Sequence, residues 1–191
     1  MNQRIRKTLL TVLFSLVFGG CASSINDSLP QANGTNGAIV IPIDITTNSD
    51  SKKFPCRSVE LLITKTFREP SELDVSVSKE IFTGSKPTYA LITNLSPGEY
   101  TVNRYRCHAN YRRVFDGGRA YLNRNVSISF EVFADKVVIL NRGFRGSVDY
   151  DAAGNSSFNH KFNYASFEHK ADIKEILLNK GLAPGWVIVN Q

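Results

Sequence analysis

Three cysteines, three histidines and a run of arginines are the residues of this chain with the most chemistry to offer. Cys56 and Cys107 are far apart, with no C-x-x-C spacing, which argues against a redox dithiol. In an oxidising compartment such an even pair reads as a disulfide; the alternative is two unbridged buried thiols. His108, His160 and His169 lack ligand-like spacing, and Asp149 and Asp151 sit in glycine-punctuated, loop-like sequence. The nucleophile elbow G-x-S-x-G, the zinc motif H-E-x-x-H, the phosphate loop G-x-x-x-x-G-K-[ST] and the dinucleotide fingerprint G-x-G-x-x-G are all absent. No catalytic, cofactor or metal residue is assigned, and the chain is read as a non-enzyme.

The cations are more concentrated. Residues 104–145 hold Arg104, Arg106, Arg112, Arg113, Arg119, Arg124, Lys136, Arg142 and Arg145 against Asp116, Glu131 and Asp135. Arginine pairs bidentately with carboxylate and phosphate. One reading is therefore a docking patch, with Arg104, Arg106, Arg112 and Arg113 as candidate binding residues. It would receive anionic lipid headgroups, glycan phosphates or an acidic protein. The other reading is a solvated face whose cations pair with the chain's own carboxylates.

The N-terminus bears on which partners such a surface meets. Arg4, Arg6 and Lys7 precede an apolar run from Leu9 to Phe18, which is followed by small residues. That order is an export signal. The run is about ten residues, short of the roughly 20 that span a bilayer. Phe18-Gly19-Gly20-Cys21 resembles the lipobox of bacterial lipoproteins, with Phe18 where leucine is usual. The resemblance implies cleavage before Cys21 and acylation of that cysteine. Two or more chains hold a protein stably at a membrane, whereas one does not. Ala22, rather than aspartate, follows the cysteine, which in the lipoprotein pattern implies the outer membrane, facing the periplasm. Ordinary secretion with cleavage after Ala22 is the alternative. Export makes a nucleic-acid partner unsuitable, despite interleaved arginine and tyrosine. Residues 1–20 hold three cations and no acid, so their removal lowers the formal charge from +6 to +3.

The elements that would position these residues follow from periodicity. Residues 21–37 are polar and turn-rich and read as a flexible tether. Residues 38–191 form one domain of ordinary size. Ile39, Ile41, Ile43 and Ile45 alternate with other residues, predicting a strand with one buried face, and Pro42 favours a sheet edge. Val59, Leu61 and Ile63 mark a second strand, Leu73, Val75 and Val77 a weak third, and Tyr89–Thr93 a fourth. Arg104, Arg106 and His108 alternate with Tyr105, Cys107 and Ala109. Tyr100 and Val102 are out of phase with that face, which predicts a bulge or sheet crossing near Asn103. Val126, Ile128, Phe130 and Val132 alternate cleanly, and Ala134-Asp135 predicts a hairpin turn into Lys136–Leu140. Phe158–Phe167 supplies a last aromatic strand. One helix is expected, about 167–180, capped by Ser166 and stopped by Gly181. The fold class is all-β, an immunoglobulin/transthyretin-like β-sandwich with one C-terminal α-helix.

Asn94–Val102, NLSPGEYTV, resembles the L-x-P-G-x-Y-x-V turn and strand of transthyretin-like and carboxypeptidase-regulatory-like domains. SFEVFADKVVIL resembles the next hairpin in bacterial lipoproteins built on that plan, with Asp135 where glycine is common. These resemblances speak to fold and imply no catalytic residue. The expected role is a non-catalytic, outer-membrane-anchored lipoprotein that binds another envelope component, protein or anionic. The alternatives are an accessory lipoprotein of a secretion system, such as type VI, or a periplasmic inhibitor or small-ligand module presenting Asp116–Tyr121.

Overall fold

In the computed structural model the described residues are 29–48, 54–66, 75–85, 87–109, 115, 117–153 and 156–191. Cys21, Arg112, Arg113, Asp116 and Leu73 lie outside them. The strands are β1 (Gly37–Thr47), β2 (Cys56–Thr66), β3 (Val75–Phe82), β4 (Tyr89–Leu95), β5 (Gly98–Ala109), β6 (Tyr121–Val132), β7 (Lys136–Ile139), β8 (Arg142–Tyr150) and β9 (Ser156–Tyr164). Helix α1 (Phe167–Asn179) and strand β10 (Val187–Asn190) complete the chain.

Two sheets face each other, making an all-β sandwich, with one α-helix among the described residues, near the C-terminus. One sheet is antiparallel, in the order β3-β2-β5-β6. The other is mixed, in the order β10-β7-β1-β8-β9, with β4 also paired to β1. Between the sheets lie Ile39, Ile41, Ile43, Val59, Leu61, Ile63, Val102, Tyr105, Phe130 and Phe144, all buried. Alternation along β2, β5 and β6 delivers one residue in two to this core, as a half-buried strand requires.

Strand β1 departs from its expected place in two ways. It is central, not at an edge: β4 pairs antiparallel on one flank, while β7 and then β8 pair in parallel. From Ile39–Val138 to Ile43–Phe144 the β1 side advances four residues and its partner six. Pro42, which has no N–H to give a ladder, falls within that bulge. Gly143 fits beside it because a Cβ there would lie 2.2 Å from the Pro42 carbonyl oxygen. Secondly, β1 is buried on both faces. Ala38 and Val40 join Leu91, Val137 and Ile139 in a second core, closed by Ile173 and Leu177 of α1.

The bulge expected near Asn103 is present, between Val102 and Arg104 in the pairing of β5 with β6. Two of the connections between the sheets are short turns that lie wholly within the described residues. In the first, Gly98 takes φ +140° and the Tyr100 hydroxyl donates back to the Ser96 carbonyl at 2.9 Å, tying the start of β5 to the corner it has just left. The second is Ala134-Asp135. It is not a hairpin, because β6 and β7 belong to different sheets.

Helix α1 begins at the expected cap, where the Ser166 hydroxyl accepts the His169 N–H at 3.1 Å. It ends one residue earlier than expected, at Asn179, with Gly181 at φ +76° just beyond.

Candidate functional site

Cys56 opens β2 and Cys107 lies on the adjacent β5; they are bridged, with Cα atoms 5.3 Å apart and both residues fully buried. The bridge joins neighbouring strands of one sheet beside the register shift between Cys56 and Ser58. The Thr83 hydroxyl also bonds the Cys56 carbonyl, bringing the end of β3 to the same place. This cysteine pair braces the sheet that carries Arg104 and Arg106.

On that sheet's outer face Arg106 and His108 converge on one carboxylate. Arg106 Nη1 and His108 Nε2 each lie 3.2 Å from Glu60 Oε2, and the Ser78 hydroxyl donates to Oε1 at 2.9 Å. The guanidinium also bonds Asn123 Oδ1 at 3.0 Å and lies 4.7 Å from the Tyr121 ring. The Ser78 hydrogen bond first, then His108 and Arg106, hold the Glu60 carboxyl below its ordinary value against an opposing contribution from burial. Arg104 shares this outer face by strand alternation, since Tyr105 and Cys107 between these residues are buried.

The other described cations are dispersed. Arg145 pairs with Asp44 at 2.8 Å on the opposite sheet. Lys136 lies over Phe133, and Arg142 over Tyr164. Among the described residues, consecutive strands from β5 to β8 thus distribute the cations of this run over both sheets. No family model, curated protein or solved structure matches the chain. Its candidate site therefore rests on its own geometry.

Two further arrangements escape periodicity altogether. The first is a half-buried polar contact: the Tyr105 hydroxyl lies 2.9 Å from His160 Nδ1 and 3.1 Å from the His160 carbonyl. Phe144, Phe158 and Phe162 pack around these rings. Burial pushes the Tyr105 hydroxyl up to about 12, and burial followed by the nearby Arg124 charge pushes the His160 imidazole down. His160 is therefore neutral near pH 7, which suits a half-buried ring stacked on Phe158.

The second is a clamp on the N-terminal segment. Asp135 adopts φ +56°, and its carboxylate accepts the Asn33 and Gly34 N–H groups at 3.0 and 2.9 Å. Its backbone N–H donates to Asn36 and its carbonyl accepts from Val187. Trp186 Nε1 donates to the Pro30 carbonyl at 2.6 Å, and Leu29 packs against the core under α1. Residues 29–36, expected within the tether, lie against the domain. The signal in the sequence was the aspartate at a turn position where glycine is common: glycine would ease φ but provide no carboxylate.

Open grooves flank the sandwich. One of about 390 Å³ runs beside the start of α1, where Asp44, Arg145, Tyr164 and His169 contribute polar atoms. Another, of about 290 Å³, lies against β6 between Ser127–Phe130 and Leu140–Arg142, with Tyr164 and Gln191 at its margins. The Asp44–Arg145 pair already satisfies itself in the first groove. The second adjoins the exposed backbone of a terminal strand.

Proposed function

We propose that this chain is a non-catalytic lipoprotein, anchored through Cys21 in the outer membrane and facing the periplasm, that binds another component of the cell envelope. The observation that carries the reading is the order of the N-terminal segment. A lipobox-like Phe18–Cys21 is followed, eight residues after the cysteine, by Leu29, where the chain is already packed on the domain. Eight residues reach at most roughly 28 Å when fully extended. The clamp of Asp135 and Trp186 would thus hold one end of the sandwich near the membrane. The Cys56–Cys107 bridge suits an oxidising compartment.

On this reading the domain acts by tethering and surface recognition, and its partner is a protein or an anionic envelope component. The test is labelled-palmitate incorporation and membrane fractionation of the wild type and Cys21→Ala, followed by cross-linking in the envelope and co-purification. Label and outer-membrane partition that vanish in Cys21→Ala, with a stoichiometric partner recovered from the anchored form, are the expected result. An unlabelled wild type found entirely in the soluble fraction would overturn the anchor. An anchored protein that recovers no envelope component would overturn the binding role.

A further inference from the structure

We infer that the outer edge of β6 is a docking site for an extended, acidic segment of a partner protein, which adds to the four-stranded sheet as a further strand. The inference rests on the binding role proposed above and names the surface and the chemistry of the partner.

Strand β6 pairs with β5 alone among the described residues, so the hydrogen-bonding groups along its other edge have no strand opposite them. One of those groups already shows what the edge accepts. The Glu131 N–H points outward and is taken at 3.2 Å by the side-chain carbonyl of Gln191. By the period of two, Ser129 presents its N–H and C=O along the same edge, with Ser127 next, at the bulge. Beneath this edge runs the 290 Å³ groove, floored by Leu140–Arg142. An edge with open ladder groups beside a groove suits an extended main chain.

The terminal strands differ in how much of their edge is protected. Exposed edges are ordinarily blunted by charge, by shortness or by burial. Strand β3 bears Lys79 and Glu80, β9 bears Lys161, and β10 has four residues. Strand β4 is sunk between the two cores, with Ala90, Leu91 and Ile92 buried. Strand β6 bears Arg124 and Glu131, but between them Asn125–Phe130 reads NVSISF, six residues with no charge, proline or glycine.

Charge selects the occupant. Arg142 margins the groove; its guanidinium lies 4.7 Å from the Tyr164 ring and donates to the Tyr164 hydroxyl at 3.2 Å. Arg124 is exposed at the other end of β6. Among the described residues neither guanidinium has a carboxylate in salt-bridge range. Glu131, at the far end beside Gln191, is the one acid on the strand. A segment carrying aspartate or glutamate would pair with these two arginines, whereas a basic segment would meet like charge.

The test uses the purified full-length protein in detergent and a fluorescent synthetic peptide of alternating valine and aspartate, read by anisotropy. Saturable binding is expected. Ser129→Pro removes an outward N–H while keeping β5 paired, and Arg142→Glu reverses one charge; each should weaken binding roughly tenfold or more. Ser129→Thr should bind as the wild type does, and a valine–lysine peptide should not bind. Methylating alternate amides of the acidic peptide should abolish binding, and this tests the same ladder should Ser129→Pro fail to fold. No binding by the acidic peptide, or equal binding after N-methylation, would overturn the inference. If the peptide fails while an envelope partner still co-purifies with the anchored protein, the edge is wrong and the binding role stands. If the peptide binds but the envelope yields no partner, the reverse holds.

Discussion

The outer faces of the two sheets have opposite surroundings. On the antiparallel sheet Glu60, Arg106, His108, Thr101 and Ser129 meet one another through side-chain hydrogen bonds beside solvent. On the mixed sheet Ala38, Val40, Leu91, Val137 and Ile139 are buried beneath α1. A sheet open on one side is written as an alternation of polar and apolar residues, whereas one covered on both sides is written as a near-continuous apolar run. Both scripts occur here, in NRYRCHA of β5 and AIVIP of β1. The contrast extends to what covers each sheet: α1 and the N-terminal clamp lie on the mixed sheet, whereas the outer face of the antiparallel sheet is beside solvent.

The largest expected break in this contrast is removal of the bridge that braces the open sheet. Cys56→Ala with Cys107→Ala opens a loop of sequence separation 51, worth about 4 kcal/mol in the chain-entropy treatment. A matching fall in the urea midpoint is expected, with protection lost in β2 and β5 by hydrogen exchange before it is lost in β1. Uniform loss through both sheets would show that the bridge does not act locally. Next in size is Ile173→Ala, which empties the fully buried anchor of α1 and should cost about 3 kcal/mol. Its effect should fall on the other side, exposing β1 and β7 while leaving the Glu60 network intact.

The open sheet was legible because alternation sorts its residues unaided. Val59, Leu61 and Ile63 face inward, and the phase change at Asn103 marks a true bulge. In β1 the same rule fails. Ile39 and Val40 are equally buried because a helix more than a hundred residues later covers the second face, and no local pattern announces that. Pro42 misleads for a related reason: the missing N–H is accommodated by a bulge in β7–β8, so the strand remains central. Of the candidate site, the Cys56–Cys107 pair and the outward position of Arg106 could be read from spacing. The spread of the cations over two sheets, the Asp135 clamp and the Tyr105–His160 contact depend on long-range pairing, which sequence proximity does not encode.

Asp135→Gly sharpens the comparison at the boundary between the sheets. Glycine relieves the cost of a left-handed residue, about 1 kcal/mol. It also removes the acceptor of two N–H groups, and bonds to a charged acceptor contribute roughly 1.5–3 kcal/mol before exposure reduces them. The losses should slightly exceed the gain, lowering stability by about 0.5 kcal/mol. The sharper readout is limited proteolysis, with new cleavage around Asn33–Asn36 and unchanged protection of β5 and β6. If cleavage there stays slow, Trp186 and Leu29 suffice to hold the segment without Asp135.

The smallest effects are electrostatic, and their order in pH distinguishes the half-buried His160 from the Glu60 cluster on the open face. His160 is held below its ordinary value of 6.5 by burial and by Arg124, so the folded state favours the neutral ring and the unfolded chain binds the extra proton. Its contribution is complete above pH 6.5 and is lost as pH falls through the lowered folded value. Glu60 is likewise depressed, from 4.5, by Ser78, His108 and Arg106, so its contribution is complete above 4.5 and is lost only in stronger acid. Two successive losses are therefore expected on acidification. His160→Phe should flatten the first, while the residue 160 carbonyl remains available to the Tyr105 hydroxyl. Glu60→Gln should flatten the second and keep an oxygen for Ser78. Because the Glu60 side chain is nearly a third exposed, solvent screening limits that second change to about 0.5 kcal/mol. Chemical denaturation between pH 3 and pH 7 resolves the two: an unchanged acid limb in Glu60→Gln would mean that the carboxylate on the open face does not couple to folding, and that Arg106 and His108 hold their positions through Tyr121 and Asn123 instead.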